Sequence, residues 1–362
     1  MATIEEKIYN EDNIDVTTCK CPNCKGTSYF DPKTQKMKCE YCGSIFDMPK
    51  TEATFVIERN LSELITQGSV WNEAEVYRCE SCGAKQIVEN QNVAHVCAFC
   101  GTKNIVKTEE LPGLKPQGVV PFKIDKEKAG QLAIKYVKKK FYAPKKFKQS
   151  AKAENLHGIY NPVFTFDAYT TSFYKGQLGK NYVTYRYVDG RRIADHKIRY
   201  FYIGGTQDDH FDDLLVQASS NISMDVIRQL EPFPTGNAIE YRPEYLLGYS
   251  ASTYNKEGED CWQECQRLMK ERIERAILKN YDYDVKVSLN IQTNFSNQTY
   301  KYILVPMYVG HYTYKNKLYN FFVNGFNGRV AGKTPVSRGK VGLTVFIVLL
   351  IIAAFILIGY FF

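Results

Sequence analysis

The apolar and polar positions change pattern several times along this chain. At its C-terminal end, Val341 to Phe362 reads VGLTVFIVLLIIAAFILIGYFF, without a single charge. As a helix this run would span roughly 33 Å at about 1.5 Å per residue, against a hydrocarbon core of about 30 Å. A core helix keeps a polar face, and this one keeps none. The pattern therefore predicts a transmembrane helix over 341–362. Upstream, Pro162 to Phe173 is β-rich, and Tyr182 to Val188, Asp189-Gly190 and Arg191 to Ile203 read as a hairpin with a primed turn. Asp260 to Asn280 has helical periodicity, with Trp262, Cys265, Met269, Ile273, Ala276 and Ile277 on its inner side. Val285 to Thr293, Tyr300 to Tyr314 and Leu318 to Val323 return to strand patterning, and Asn324-Gly325 and Asn327-Gly328 give turn signals. Pro162-Val-Phe and Pro306-Met-Tyr begin two similar strands, a hint of an internal repeat. Residues 151–333 thus read as an α+β domain with mostly antiparallel strands.

The cysteines add chemistry to the N-terminal part. Cys21-Pro-Asn-Cys24 is followed by Cys39-Glu-Tyr-Cys42-Gly43, and Cys79-Glu-Ser-Cys82-Gly83 by Cys97-Ala-Phe-Cys100-Gly101. Each set offers four thiolates, the number a closed tetrahedral Zn²⁺ site needs. The glycine after a knuckle suits the positive φ of such a turn. Thr27 to Phe30 against Lys36 to Lys38 would make the hairpin of a zinc ribbon. Disulfides are disfavoured in a reducing cytosol, and no βαβ pattern surrounds either C-x-x-C as a redox motif would require. The reading is two structural Zn²⁺ ions in an internally duplicated ribbon, over 17–48 and 75–106. Cys19 and His95 are spare neighbours of the two sites. Between the ribbons Asn60 to Gln67 is a short helical segment, and residues 107–121 (with Leu111-Pro-Gly-Leu-Lys-Pro-Gln-Gly118) read as a linker.

Charge then separates one segment from the rest. Lys123 to Lys148 holds ten lysines against Asp125 and Glu127, a net of +8 that equals the whole chain's excess. Asp125 is an N-cap candidate, and Leu132, Ala133, Tyr136 and Val137 form an apolar stripe, so 122–150 reads as a basic amphipathic helical segment. Its lysines suit solvent, an anionic membrane surface or nucleic-acid phosphates. The tail anchor favours lipid over nucleic acid. Lys333, Arg338 and Lys340 precede the apolar run, which by the positive-inside bias keeps the bulk of the chain in the cytoplasm on a single-pass cell-membrane anchor. The start, MATIEEKIYN, has no apolar signal region. With 44% apolar and 24% charged residues, the rest is neither disordered nor, at eleven cysteines, a disulfide mini-protein.

Catalytic signals are few. Gly328-Arg-Val-Ala-Gly332-Lys333-Thr334 is one residue short of a P-loop and precedes the apolar run instead of closing a βαβ unit. Asp208-Asp-His210-Phe-Asp-Asp213 gathers carboxylates around a histidine and reads as a solvated acidic loop with helix-start character. His196 reads as a sheet-face residue, and Cys261 and Cys265 as core thiols.

Beside the two ribbons stand Trp71 and Tyr77, then L-K-P … V-V-P-F-K-I-D, G-I-Y-N-P-V-F-T-F-D-A and V-N-G-F-N-G-R-V-A-G. Taken together these resemble a bacterial family of membrane-anchored proteins with transcription-factor-IIB-type zinc ribbons, common in Gram-positive bacteria. Phe164 and Tyr308 stand where that family usually carries Trp. Its members are often labelled primosomal or phage replication proteins. The resemblance implies an association with SPFH-domain and phage-shock-type membrane-stress systems. Three functions follow as expectations: a non-enzymatic adaptor recruiting protein partners to the cytoplasmic face, a nucleic-acid-binding protein of replication or transcription, and an enzyme built on His210. The first is favoured. Ribbon one, Cys19 to Phe46, is only modestly basic and ribbon two nearly neutral, whereas a phosphate-tracking surface should be more basic.

Overall fold

The computed structural model describes residues 19–31, 36–46, 55–66, 71, 74–88, 97–108, 114–150, 156–246, 249–315 and 317–361. Strands β1 (Cys19–Lys20), β2 (Thr27–Asp31), β3 (Lys36–Cys39) and β4 (Ile45–Phe46) form a separate four-stranded sheet. The chain continues through β5 (Arg59–Asn60), α1 (Leu61–Thr66), β6 (Glu75–Cys79), β7 (Lys85–Val88), β8 (Ile105–Lys107) and β9 (Gly118–Val119). Helices α2 (Lys126–Lys139) and α3 (Lys145–Ser150) lead to β10 (Leu156–Val188) and β11 (Arg191–Gln217). Then follow α4 (Met224–Leu230), β12 (Ile239–Glu240), β13 (Ser250–Ser252), α5 (Gly258–Lys279), β14 (Val285–Tyr314), β15 (Lys317–Asn324), β16 (Val330–Gly332) and α6 (Arg338–Phe361). The architecture is α+β and mostly sheet, with antiparallel pairs predominating.

The main sheet is centred on β10 and β14. Even-numbered residues of β10 (Leu156, Tyr160, Phe164, Phe166) pack under α2 and α5, whereas Ile159 and Val163 face α4 and the second cysteine unit. This is the period-two alternation of a sheet covered on both faces. In α2, Ala129, Ala133 and Val137 are buried, so the apolar stripe read from the sequence docks on the sheet and turns the lysines outward. Asp125 caps it through Lys128 N, 2.6 Å from Oδ1.

The sheet is built from two similar halves. Strand β9 lies parallel to β14, with Gly118 opposite Ile303; β13 lies parallel to β10, with Ser250 opposite Ile159. The strand starts (250 − 118) and the helix starts of α2 and α5 (258 − 126) are both 132 residues apart. The paired residues Ile159 and Ile303 are 144 apart (303 − 159), the separation of Pro162 and Pro306. Each half is thus β–α–β–β, and the repeat hinted at by the two proline strands is present in the topology. A buried amide pair sits at its centre: Asn161 Nδ2 donates to Gln217 Oε1 at 2.7 Å, and Gln217 Nε2 returns a bond to Asn161 Oδ1 at 2.9 Å.

Several expectations are corrected. The segment read as a linker enters the sheet: Gln117 N donates to Tyr302 O, and β9 is a parallel strand. Pro116 and Pro121 flank β9 without detaching it. The stretches 285–293 and 300–314 are one strand, β14, that absorbs a register shift near Asn297, where φ is 49°. The basic segment over 122–150 holds two helices, with α2 ending at Lys139, Pro144 past that end and α3 starting at Lys145. Asp208 to Asp213 is not a loop but part of β11.

The two ends of the sheet differ. At one end β14 and β15 turn back at Lys315, beside α3, where Phe147 meets Tyr312 and Tyr319 edge-on. At the other, β10 and β11 run on past the last β14 pair, Gly179–Val285, to a turn at Asp189 (φ 49°) and Gly190 (φ 75°). Residues 181–199 form a two-stranded arm, about 30 Å long at roughly 3.3 Å per residue.

Candidate metal centres

The eight cysteines named from the sequence come together as two sets of four, with all sulfurs in each set within 4.8 Å of one another. In the first, Cys21 Sγ lies 3.6 Å from Cys42 Sγ and Cys24 Sγ 3.4 Å from Cys39 Sγ. In the second, Cys79 to Cys100 is 3.5 Å and Cys82 to Cys97 is 3.7 Å. A tetrahedral thiolate set with metal–sulfur bonds of about 2.3 Å separates its sulfurs by about 3.8 Å. Both sets fit such an ion with little movement, and four thiolates leave no open position.

Backbone geometry explains the convergence. Each C-x-x-C pair is a tight knuckle closed by an amide bond back to its first cysteine. Lys25 N bonds Cys21 O, Gly43 N bonds Cys39 O, Gly83 N bonds Cys79 O and Gly101 N bonds Cys97 O, at 2.8–3.1 Å. The closing residue is left-handed in all four, at φ 58° for Lys25 and 68–75° for the glycines. Gly101 is further restricted, since a Cβ there would lie 2.2 Å from the His311 ring. In the first set, the Ser44 hydroxyl, 3.0 Å from Cys42 Sγ, together with the Ser44 amide pulls that thiol down to about 6.

The two sets sit differently in the molecule. The strands of the first pair only with one another among the described residues. The second is built into the main sheet: β7 pairs with β13, and Cys79, Cys97, Ala98 and Phe99 pack with Ile159, Val163 and Met307. Gln86 ties it in, accepting from Ala98 N at 3.3 Å and Ser250 Oγ at 3.1 Å. Cys19 pairs with Ser28 in β1, and His95 lies outside the described residues.

A third group escaped the sequence reading. Glu58, Asp167 and Asp213 converge around Lys301, whose side chain is 6% exposed; Lys301 Nζ lies 2.6 Å from Asp213 Oδ1 and 3.1 Å from Glu58 Oε1. Asp167 Oδ1 accepts from Asp213 N at 2.6 Å, pinning a bulge at which Asp213 has φ 49°. Burial, and then the hydrogen bond with Glu58, push Asp167 up to about 6. Burial alone would lower Lys301, but the Asp213 and Glu58 carboxylates hold it above the usual lysine range. The ammonium already stands where a cation would, so this is an ion-pair network.

The remaining candidates separate. His210 stacks on Tyr169 at 4.2 Å, and of the neighbouring aspartates only Asp213 joins a carboxylate group, one that excludes the histidine. Successive side chains in β11 point to opposite faces, which disperses the acidic run. Cys261 and Cys265 are fully buried, and burial raises both thiols, Cys261 to about 12. The P-loop-like stretch runs through β16 and pairs with β15.

The chain has a relative of similar length. It is similar to the uncharacterized protein YdjG of Bacillus subtilis, 27% identical over 342 residues, covering 90% of this chain and 92% of that protein. No family model matches the chain, and no solved structure does. At that coverage the similarity is not confined to the cysteine units but takes in the sheet as well. The apolar tail, α6, is long and apolar enough to cross a membrane, and Val341, Leu343 and Val345 to Ile352 are exposed along it.

Proposed function

We propose that the protein is a tail-anchored zinc-ribbon adaptor on the cytoplasmic face of the cell membrane, holding two structural Zn²⁺ ions and recruiting protein partners without chemistry of its own. The observation that carries this reading is the arm. Cross-strand register places Tyr185 and Tyr187 on one face with Val183 and Ile198, continued at the arm's base by Tyr200 and Tyr202, and Arg186, Arg191, Lys197 and Arg199 on the other with Tyr182 among them. Tyr187 is 74% and Tyr202 84% exposed. Tyrosine and arginine are the residues that dominate protein–protein hot spots. The arm also lies at the end of the sheet away from α3 and the root of α6, within reach of a cytoplasmic partner. Nucleic acid fits less well. Strand-binding surfaces stack bases beside the cations that track phosphates, and here Tyr200 and Tyr202 face away from Arg186, Lys197 and Arg199, although Arg192 lies over Tyr185 and Arg199 over Tyr182.

The resemblance to the SPFH- and phage-shock-associated family supplies the partners to try. Capture from membranes solubilised in mild detergent, read by mass spectrometry, should retrieve such proteins with the full chain. It should lose them when residues 181–199 are replaced by an Asn-Gly turn. Unchanged capture, or capture of nucleic acid in place of protein, would refute the adaptor reading.

A further inference from the structure

We infer that Phe141 and Tyr142 form an interfacial wedge, seated at headgroup level in the anionic leaflet from which α6 emerges; this rests on reading α6 as a membrane span. The turn between α2 and α3 presents the two aromatics outward, Phe141 67% and Tyr142 41% exposed, with their rings edge-on at 5.2 Å. Its backbone is fastened to the root of α6. Ser337 N donates to Tyr142 O at 2.8 Å, and Lys340 Nζ donates to Phe141 O at 2.7 Å and Ala143 O at 3.0 Å. From below, Ala143 and Phe147, each 1% exposed, hold the turn to the body.

The uncharged run starts at Val341, one residue after Lys340. The plane at which water gives way to hydrocarbon therefore passes close to the turn that Lys340 clamps. Tyr142, with an apolar ring and a polar tip, favours that depth, and Phe141 adds a wholly apolar ring of the kind that buries at the headgroup–acyl boundary. The charges around them select the lipid. Between Lys128 and Ser150 there is no Asp or Glu, and Lys138, Lys139, Lys145 and Lys146 flank the two aromatics. Such a basic collar is drawn to anionic headgroups and gains nothing from neutral ones. Span and wedge give the body two points of attachment, so it cannot swivel freely about one helix.

The test uses the full chain reconstituted in vesicles, with Phe141→Trp as reporter. The native Trp71 and Trp262 are 1% and 5% exposed, so the difference from the unsubstituted chain isolates the introduced indole. Expected is loss of most of that indole's emission to lipids brominated near the headgroup in phosphatidylglycerol-containing vesicles. The loss should be weaker in phosphatidylcholine alone, and Tyr142→Trp should repeat the result. Quenching of the Phe141→Trp reporter by aqueous iodide and not by bromolipid would overturn the wedge and leave the turn to a soluble acidic partner. Equal bromolipid quenching in both lipids would overturn the selection of anionic lipid. A chain extracted from the vesicles by carbonate would overturn the span reading, and the wedge with it.

Discussion

Asp167 and Glu58 stand close together beside Lys301 and are shifted in opposite senses. Asp167 is raised from 3.8 to about 6 by burial and the Glu58 hydrogen bond. Its contribution to stability is therefore complete below about pH 4 and is lost as pH rises through about 6. Burial would raise Glu58, but hydrogen bonds with Asp167 and Lys301 hold it low, so its contribution is present above its unfolded value and lost on acidification. Asp167→Asn keeps an acceptor for Asp213 N and a donor for Glu58 while removing the titration. Thermal unfolding followed by circular dichroism should show the variant gaining on the parent between pH 4 and 7, by at most about 3 kcal/mol. A constant difference across that range would mean that Asp167 does not carry the proton. No sequence pattern announced this group, because its members come from β10, β11, β14 and the segment before β5, and only the fold brings them together.

At the scale of elements, the two cysteine units make a paired prediction. Metal analysis of the full chain should find close to two zinc per chain; one, or iron, would end the twin-site reading. Cys97→Ser should lower the melting temperature of the main sheet, since Cys97 packs among its core residues, whereas Cys39→Ser should unfold only the separate four-stranded sheet. Hydrogen exchange at β10 distinguishes the two outcomes, with protection lost in the first variant and kept in the second. The ligands were legible because a C-x-x-C knuckle fixes its own geometry locally. The hairpin turn at Asp189-Gly190 and the inner side of α5 were legible for the same reason. What escaped was non-local. Gly176, Gly179, Gly204 and Gly205 interrupt the apolar alternation, yet the strands run through them; at Gly176 the close approach of β14 requires glycine, since a Cβ there would lie 2.4 Å from Ser288 O. The Asn297 bulge hid the continuity of β14, and the short strands β9 and β13 are defined only by the partners they meet in space.

For the whole molecule, the duplicated sheet has two different ends. One end carries the basic collar, the wedge and the root of the apolar helix; the other tapers to a two-stranded arm. A ribbon of two strands has few contacts to oppose local opening and is marginally stable in water on its own. The arm is therefore the place where partner binding and proteolysis should compete. Its tip carries Arg191 and Arg192, both exposed, and trypsin should cut there early once it gains access. Orientation decides access. The proposed cytoplasmic orientation predicts that externally added trypsin leaves the chain whole in intact spheroplasts. After lysis, cleavage at Arg191 or Arg192 should release fragments mapped by mass spectrometry, while the Lys138 to Lys140 stretch, which the proposed wedge sets against the leaflet, should be cut more slowly than in detergent. Cleavage of the arm in intact spheroplasts would place the body outside the cell and invert the assignment. Equal rates at Lys138 to Lys140 in membrane and detergent would detach the collar from the bilayer.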